Sequence, residues 1–308
     1  MSGSPAAEPP AQLGFVGLGA MGEPMAERLL AAGFDVCGTN RNQARGERLR
    51  AQGLRWCSTP REVAEGADIV ITMLSDDRAL RSVALADGGL LAGLRDGATY
   101  IDMSTVSPQC SAEVAEAVER RGASFLEAPV SGSVPQAQSG SLTIMVAGDR
   151  GAFERSEAVL RTMGSNVAYL GERGRALMMK LAINLSIAAQ MIAFSEGLLL
   201  ACAHGIAPEQ AVDLLCNSAI ASPMLRARGP LTIERPPQPW FALRLMHKDL
   251  ALALAQAREH DLPMPLSALA HELFSAARAH GHSDEDMVAI YDLLAELASG
   301  APGTGSSV

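Results

Sequence analysis

The stretch that decides the fold is GFVGLGAMGEPMAERLL, Gly14–Leu30, in which an apolar run leads through three glycines into a helix-forming segment. Gly17, Gly19 and Gly22 have the spacing GxGxxG. In this spacing the first glycine permits a tight turn, the second admits a pyrophosphate close to the backbone, and the third allows close helix–strand packing. The start of the helix adds N–H donors and the positive end of its dipole. The stretch therefore predicts a dinucleotide site on the first strand of an α/β domain.

Short apolar runs alternate with amphipathic segments from Leu13 to about Leu170. The predicted strands cover residues 14–17, 35–39, 68–74, 99–103, 124–130, 141–148 and 167–171. Strands alternating with helices indicate a parallel sheet with helices on both faces. After Gly171 the pattern is helical, with predicted helices at about 172–203, 207–217, 243–259, 264–280 and 284–297. The predicted fold class is α/β: a Rossmann-type doubly wound sheet domain over 13–171, followed by an all-helical domain over 172–299.

The two ends of the chain and its cysteines bear on where the protein works. Residues 1–12 and 300–308 are rich in small and turn-forming residues, which predicts disordered tails, and the first lacks the features of a signal peptide. The five cysteines are Cys37, Cys57, Cys110, Cys202 and Cys216. They form no CxxC pair and are odd in number, which predicts reduced thiols and a cytoplasmic protein.

Charge and hydropathy limit the classes of partner. The formal net charge of −9 argues against general binding to nucleic acid. The longest apolar segment, Leu181–Ala203, contains Asn184, Gln190 and Glu196. A membrane span is usually freer of such groups, so a buried helix is favoured. We expect neither a nucleic-acid nor a membrane partner.

The second predicted strand ends in Gly38-Thr39-Asn40-Arg41. A fold that binds NAD usually places an acidic residue here to accept the ribose hydroxyls, and Asp35 lies at the wrong end of the strand. The planar, permanently charged side chain of Arg41 instead suits a 2′-phosphate. We therefore expect NADPH to be preferred over NADH, with an exposed arginine of no consequence as the alternative. The small polar side chain of Asn42 is a further candidate contact to that phosphate.

The segment MMKLAIN, Met178–Asn184, places a lysine inside an apolar, helix-forming run. A buried ammonium is costly unless it is paired or loses its proton. Lys180 and Asn184 are about one helical turn apart, so they point to the same side. The residues alone leave two interpretations open: the stem of Lys180 reaches water, or the fold needs a proton donor there.

Several motifs together resemble the β-hydroxyacid dehydrogenase family over about Leu13 to Leu297. Besides the glycine turn and MMKLAIN, these motifs are IDMST at Ile101–Thr105, EAPVSGS at Glu127–Ser133 and MHKDLALAL at Met246–Leu254. The combination looks most similar to the glyoxylate/succinic semialdehyde reductase branch. One departure is Ala176, where relatives usually carry a second glycine shortly before the lysine, which bears on the size of the substrate.

The resemblance implies a role for each matching residue. Lys180 would be the catalytic proton donor, with Asn184 beside it to orient the substrate. The implied substrate contacts are Ser131, Gly132, Thr105, Phe241 and Asp249, with Ser133 as a weaker candidate. The implied coenzyme contacts are Gly17, Leu18, Gly19, Ala20, Met21, Gly22, Asn40, Arg41, Met73, Leu74, Thr105 and Lys248.

The resemblance implies an NADPH-dependent reductase of small, carboxylate-bearing aldehydes such as succinic semialdehyde or glyoxylate, reversible with hydroxy acids. Alternatives are a 3-hydroxyisobutyrate dehydrogenase, a tartronate semialdehyde reductase, an imine reductase, or, in another class, a non-catalytic dinucleotide-binding sensor or scaffold. A homodimer or homotetramer is expected. His280 and His282 invite a metal interpretation, but their spacing fits no usual zinc site, and Ser283 before Asp286 is typical of a helix start, so no metal is expected.

Overall fold

The computed structural model describes residues 11–299, so most of the first predicted tail and all of the second lie outside the described residues. The chain divides into two compact units, the first ending at Lys180 and the second beginning at Leu181. The sequence placed the boundary near residue 171. The difference arises because the long helix after Gly174 packs its first turn, with Leu177, into the core of the first unit.

The first unit is built on one mixed sheet. Strands β1–β9 span Leu13–Val16, Val36–Thr39, Arg55–Trp56, Ile69–Thr72, Thr99–Asp102, Ser124–Glu127, Val130–Ser131, Thr143–Gly148 and Asn166–Tyr169. Their order is β3-β2-β1-β4-β5-β6-β8-β7, with β9 paired to β8. Strand β1 lies between β2 and β4, which is the point where the strand order reverses and where ligands bind in such sheets.

Helices cover both faces of this sheet. Helices α1–α8 span Gly22–Ala31, Glu47–Ala51, Pro60–Glu65, Asp77–Leu85, Leu90–Gly93, Pro108–Glu119, Val134–Ser139 and Arg150–Met163. The neighbours Phe15 and Val16 on β1 belong to two different hydrophobic clusters, because successive side chains of a strand point to opposite faces. The predicted two-sided α/β sheet is confirmed.

Three local expectations for the sheet need correction. Strands β1, β2, β4, β5 and β6 run parallel as predicted, but β8 pairs antiparallel with β6 and β7 pairs antiparallel with β8. The predicted strand 124–130 is split into β6 and β7 around Pro129, which has no backbone N–H to donate. The two-residue strand β3 was not predicted; it is too short to show a period.

The second unit is helical. The long helix α9 spans Arg175–Ala203, and the second unit begins within it at Leu181. Helices α10–α14 span Pro208–Asn217, Pro223–Arg228, Leu243–Glu259, Pro265–Ala279 and Ile290–Ser299. The helix predicted from residue 284 begins only at Ile290, after two short 3-10 turns. The reason is Asp286, whose buried carboxylate pairs with Arg228 and accepts the backbone N–H of Trp240 and of Phe241 instead of continuing a helix.

Two of the five cysteines are joined. Cys37 on β2 forms a disulfide with Cys57, which directly follows β3, so the prediction of five reduced thiols is wrong for this pair. The two residues are 20 positions apart in sequence and come together because β2 and β3 pair in parallel. No CxxC spacing signals such a contact. The cytoplasmic location stays a prediction.

Helix α9 has 29 residues and is long and apolar enough to cross a membrane. The core helix of a soluble protein can have the same length and composition. Only 33% of its most apolar window is buried within the chain. The predicted buried helix is therefore buried on one side only. Its exposed residues are Arg175, Met179, Ala182, Ser186, Ala193, Glu196, Leu200 and Ala203.

Candidate active site

The three glycines after β1 differ in the space that is available for a side chain. Gly17 has φ of +101°, and a Cβ there would lie 2.3 Å from the carbonyl oxygen of Met73. A Cβ on Gly22 would lie 2.0 Å from the carbonyl oxygen of Gly17, whereas a Cβ on Gly19 would meet nothing within 4 Å. The first and third positions are therefore closed by the fold itself. The middle one opens onto free space beside the start of α1, which fits the pyrophosphate of a dinucleotide.

A buried hydrogen-bond network holds the loops after β4 and β5. The backbone N–H of Leu74 donates to Ser104 Oγ at 2.9 Å, and that hydroxyl donates to Asp102 Oδ1 at 2.6 Å. Thr72 Oγ1 donates to the same carboxylate oxygen at 2.7 Å. The network fixes Leu74 on one side and the residue before Thr105 on the other. The sequence assigned no role to Asp102 and Ser104 within IDMST; the available signal was their position at and just beyond the end of a strand.

The corner after β2 carries the predicted phosphate contact. Arg41 is exposed, and Asn40 Nδ2 donates to the carbonyl oxygen of Asn42 at 3.0 Å. Asn42 Oδ1 accepts the backbone N–H of Ala44 at 3.1 Å, so it caps a 3-10 turn. A phosphate contact from Asn42 would therefore have to use its amide nitrogen. Asp35 precedes β2 at the opposite end of the strand, as expected from the sequence.

The predicted carboxylate-binding loop follows β6. Ser131 ends β7 and is partly buried, and Gly132 has φ of +129°. This backbone conformation favours glycine, and a Cβ there would also lie 2.8 Å from Leu142 Cδ2. Ser133 is the N-cap of α7, and its backbone N–H donates to Gln136 Oε1 at 2.9 Å. Ser133 thus caps a helix, whereas Ser131 and the Gly132 backbone remain the candidate substrate contacts.

Lys180 and Asn184 lie one turn apart on α9, and both are buried. Lys180 is only 8% exposed, which argues against the interpretation in which its stem reaches water. Asn184 Nδ2 donates to Asp249 Oδ2 at 2.5 Å. The amide of Asn184 is therefore fixed by a carboxylate that lies far away in the sequence.

Asp249 on α12 organises a small polar cluster with Asn184 and Lys248. Lys248 Nζ lies 3.0 Å from Asp249 Oδ1, and the Asp249 side chain is 1% exposed. The structure thus places Asp249 as a bridge between two other predicted site residues, a role that the sequence did not suggest. The remaining predicted residue, Phe241, is partly buried and packs against the core of the second unit.

His280 and His282, near the end of the helical unit, each have a ring nitrogen within hydrogen-bond distance of a glutamate carboxylate. Single ligand atoms of His282, Glu285 and Asp292 lie within 4.8 Å of one another, a separation that a metal ion can bridge. Each has a partner on the protein, because His282 Nδ1 lies 2.8 Å from Glu285 and Asp292 pairs with Arg235. Burial raises the pKa of Asp292, and the charge of Arg235 opposes that rise. The expected absence of a metal stays a prediction.

Two family profiles of known proteins match this chain, one over residues 12–171 and the other over residues 174–294. A family profile described as the NAD-binding domain of 6-phosphogluconate dehydrogenase matches residues 12–171. A second, described as the NAD-binding part of NADP-dependent 3-hydroxyisobutyrate dehydrogenase, matches residues 174–294. Glyoxylate/succinic semialdehyde reductase 1 of Arabidopsis thaliana is 39% identical over 283 residues, which cover 92% of this chain and 98% of that protein.

Solved structures agree with these matches. The 3-hydroxyisobutyrate dehydrogenase of Salmonella typhimurium has a TM-score of 0.86 at 29% identity, covering 92% of this chain and 99% of that chain. A protein named Psf3, solved in complex with NADP+ and 2-OPP, has a TM-score of 0.85 at 26% identity, with the same coverage. Because the profiles, the relative and the structures all extend over nearly the whole chain, the chain belongs to the β-hydroxyacid dehydrogenase family of NAD(P)-dependent oxidoreductases.

Proposed function

We propose that this protein is an NADPH-dependent reductase of small aldehydes that carry a carboxylate, of the succinic semialdehyde or glyoxylate type. The reverse reaction would oxidise the corresponding hydroxy acid. The 39% identical relative bears the name of this activity. The glycine turn, the Arg41 corner and the buried pair Lys180 and Asn184 supply the groups that such a reaction needs.

Each polar group has a defined task in this proposal. The bound coenzyme supplies a hydride to the aldehyde carbon. Lys180 donates a proton to the alkoxide that develops on the aldehyde oxygen, and its positive charge stabilises that oxygen beforehand. Asn184, held by Asp249, orients the carbonyl group. Ser131 and the backbone of Gly132 receive the carboxylate of the substrate.

The main support for the proposal is a buried amine in a chain whose strongly basic residues are arginines at all but two positions. The sequence has 25 lysines and arginines, of which only Lys180 and Lys248 are lysines, and both fall in the segments MMKLAIN and MHKDLALAL. A lysine can give up its proton when buried, whereas the guanidinium of arginine stays charged in proteins. Because nearly all other strongly basic residues are arginines, a lysine that is 8% exposed on an apolar helix fits the role of a proton donor.

The test of this role is Lys180→Met, which keeps the length of the side chain and removes its amine. We expect kcat to fall about a thousandfold or more, because proton transfer and charge stabilisation are lost together. The Kd for NADPH, measured by fluorescence titration, should change less than twofold. Arg175→Gln, at an exposed position of the same helix, is the matched control. Turnover of the Lys180→Met protein within tenfold of the parent would remove this lysine from the mechanism.

The coenzyme preference is tested at the corner after β2. We expect Arg41→Ala to weaken NADPH by about 10- to 100-fold while NADH changes little, because only the 2′-phosphate loses a charge-assisted bond of about 1.5–3 kcal/mol. The measurement is the Kd of each coenzyme for the parent and for the variant. Arg45→Ala, at another exposed arginine of the following turn, is the control. Equal weakening of both coenzymes would contradict the preference for NADPH.

The substrate class is tested by a screen with both coenzymes. The panel contains succinic semialdehyde, glyoxylate, methylmalonate semialdehyde, tartronate semialdehyde and a cyclic imine. The proposal expects the highest kcat/KM with one of the first two aldehydes. Faster reduction of the imine, or of either of the other semialdehydes, would replace it by the corresponding alternative.

The proposal includes a homo-oligomer built on the helical unit. Met179, Ser186, Ala193 and Leu200 are exposed on α9 at seven-residue intervals, which places them on one stripe along the helix. Nine of the ten large apolar side chains that are exposed among residues 11–299 belong to the second unit. Such apolar exposure is typical of a subunit contact. Light scattering should give the mass of a dimer or tetramer, and a monomer at micromolar concentration would contradict the proposal.

A further inference from the structure

The buried carboxylate of Glu127 has no task in the reaction proposed above. It stands at the end of β6 and is 3% exposed. Its backbone position is rigid, because Glu127 pairs with Asp102 on β5 and with Ala147 on β8. Burying a carboxylate is costly unless it is hydrogen-bonded. The hydrogen-bond partners of this side chain therefore indicate its role in the structure.

Both carboxylate oxygens of Glu127 are engaged. Ser111 Oγ on α6 donates to Oε1 at 2.8 Å, and the backbone N–H of Gly174 donates to Oε2 at 2.7 Å. The first bond fixes the carboxylate on the helix layer beside the sheet. The second reaches the residue that directly precedes α9. Glu127 therefore ties the middle of the sheet to the start of the helix that carries Lys180.

Gly174 is the point at which α9 begins. Its carbonyl oxygen accepts the N–H of Met178 at 2.9 Å, which is the first bond of the helix. Its φ of +88° lies in the left-handed region, and a Cβ would meet nothing within 4 Å, so glycine is needed here for conformation and not for space. The free N–H groups at a helix start favour a negative partner, and Glu127 provides one.

The direction of Lys180 depends on how this start is held. Lys180 follows Gly174 by six residues, or about 9 Å along the helix axis. Two contacts fix that first part of the helix: the hydrogen bond to Glu127 and the burial of Leu177, which is 1% exposed, in the core of the first unit. The ion pair between Arg173 and Glu119 is half exposed and contributes little. A rotation or shift at Gly174 would move the amine of Lys180 with it.

The electrostatics of Glu127 agree with this arrangement. Burial raises the pKa of Glu127, and the hydrogen bonds from Ser111 and Gly174 oppose that rise. The protein thus keeps a costly group that a glutamine could replace as a hydrogen-bond partner, since an amide can accept from Gly174 and donate to Ser111. The replacement therefore separates hydrogen bonding from charge.

We propose that Glu127 is a positioning residue for Lys180: its carboxylate fastens Gly174, the residue directly before α9, to the sheet, so that the amine six residues later is held where proton transfer occurs. Ser131, on the next strand β7, follows Glu127 by four residues, so the fixed end of β6 lies close in sequence to the candidate carboxylate loop as well. This inference rests on the proposed function, because it takes Lys180 as the proton donor.

The kinetic test compares Glu127→Ala with Glu127→Gln. The alanine variant loses the contact to Gly174, and we expect kcat to fall about 10- to 100-fold, since a displacement of about 1 Å can cost that much. KM for the aldehyde and Kd for NADPH should stay within about twofold. Glu127→Gln should restore kcat to within about threefold of the parent, because the amide can make both hydrogen bonds. Glu119→Gln, which breaks the exposed ion pair at the same helix start, should change nothing.

A double variant separates positioning from general damage to the fold. If Glu127 acts through Lys180, adding Glu127→Ala to Lys180→Met should lower kcat no further, because the group being positioned is gone. Independent, multiplying losses would overturn the inference, as would a kcat of Glu127→Ala within twofold of the parent. Should the alanine variant fail to fold, Glu127→Asp, whose carboxylate is one methylene short of Gly174, replaces it with the same expectations.

A spectroscopic readout does not depend on activity. Because the chain has only two lysines, protein grown with lysine labelled at Cε with ¹³C gives two signals, which Lys248→Arg assigns. Glu127→Ala should shift the Lys180 signal and leave the Lys248 signal in place, and Glu127→Gln should restore the first. A parent enzyme without reductase activity but with this shift would contradict the proposed function alone. An active parent with an unmoved Lys180 signal in Glu127→Ala would contradict the positioning role alone.

Discussion

The glycine turn after β1 and the polar cluster on α9 and α12 are built in opposite ways. The turn is continuous in sequence, and its shape follows from which positions have room for a Cβ: none at Gly17 or Gly22, and open space at Gly19. The cluster joins Asn184 to Asp249 across 65 positions of sequence, and its shape follows from two side-chain contacts. Local backbone rules determine the first region, and helix packing determines the second.

The two regions should also respond differently to a substitution. The conformation of the glycine turn is restricted mainly by steric exclusion. A methyl group added at Gly17 or Gly22 would therefore collide with the backbone. The cluster contains a buried carboxylate shared between an amide and an ammonium, so the loss of that carboxylate removes a polar contact from both of the other groups. A substitution should therefore destabilise the turn through backbone strain and the cluster through the loss of polar contacts.

The largest effect is expected at the third glycine. Gly22→Ala places a Cβ 2.0 Å from the carbonyl oxygen of Gly17, so the backbone must move. We expect a loss in the free energy of unfolding at the upper end of about 1–3 kcal/mol and no measurable NADPH binding. Calorimetry and fluorescence titration provide the two measurements.

Gly19→Ala is the matched control for that strain. Its Cβ points into open space, so the melting temperature without coenzyme should not change. NADPH should bind about tenfold more weakly, because the methyl group would occupy the place proposed for the pyrophosphate. Equal destabilisation by the two alanines would show that the comparison between closed and open positions is wrong.

The next effect is expected at the centre of the cluster. Asp249→Ala removes the acceptor of Asn184 and the ion-pair partner of Lys248. We expect kcat/KM to fall about 30-fold, because Asn184 loses the bond that orients it. Asp249→Asn keeps the shape and should lose less. Activity unchanged by the alanine would mean that the cluster has no part in the reaction.

The smallest effect is a change in acid stability at His247, which precedes Lys248. Burial, followed by the positive charge of Arg278, lowers the pKa of His247 to about 4, against an ordinary value of 6.5. The unfolded chain therefore binds more protons between these two values, so this group costs stability as the pH falls from 6.5 towards 4. His247→Gln should reduce the drop in melting temperature between pH 7 and pH 5. His260→Gln, at an exposed position, should not.

The sequence was most informative where structure depends on neighbouring residues. The strands, the glycine turn and α9 follow from periodicity and spacing, because these patterns are local. The antiparallel β8 and the disulfide between Cys37 and Cys57 depend on which strands pair, which no spacing reveals. The late start of α14 depends on Asp286 being drawn to Arg228, 58 positions away.

The candidate site divides in the same way. Gly17, Gly19, Gly22 and Lys180 could be named from their motifs. The bridging position of Asp249 and the anchoring contact of Glu127 could not, because both depend on a partner at 65 and 47 positions in sequence. Both residues lie within motifs that the sequence shows, EAPVSGS and MHKDLALAL, but the sequence does not show which residues they contact.

The bond between Cys37 and Cys57 encloses Asn40 and Arg41 in a covalent ring. In the chain-entropy account, closing a loop of this length favours the native chain by about 3 kcal/mol. A sample kept in a strong reductant and a sample left in air are thus two different molecules at the corner that would tell the two nicotinamide coenzymes apart. Thiol titration of each preparation belongs beside any selectivity ratio measured for this enzyme.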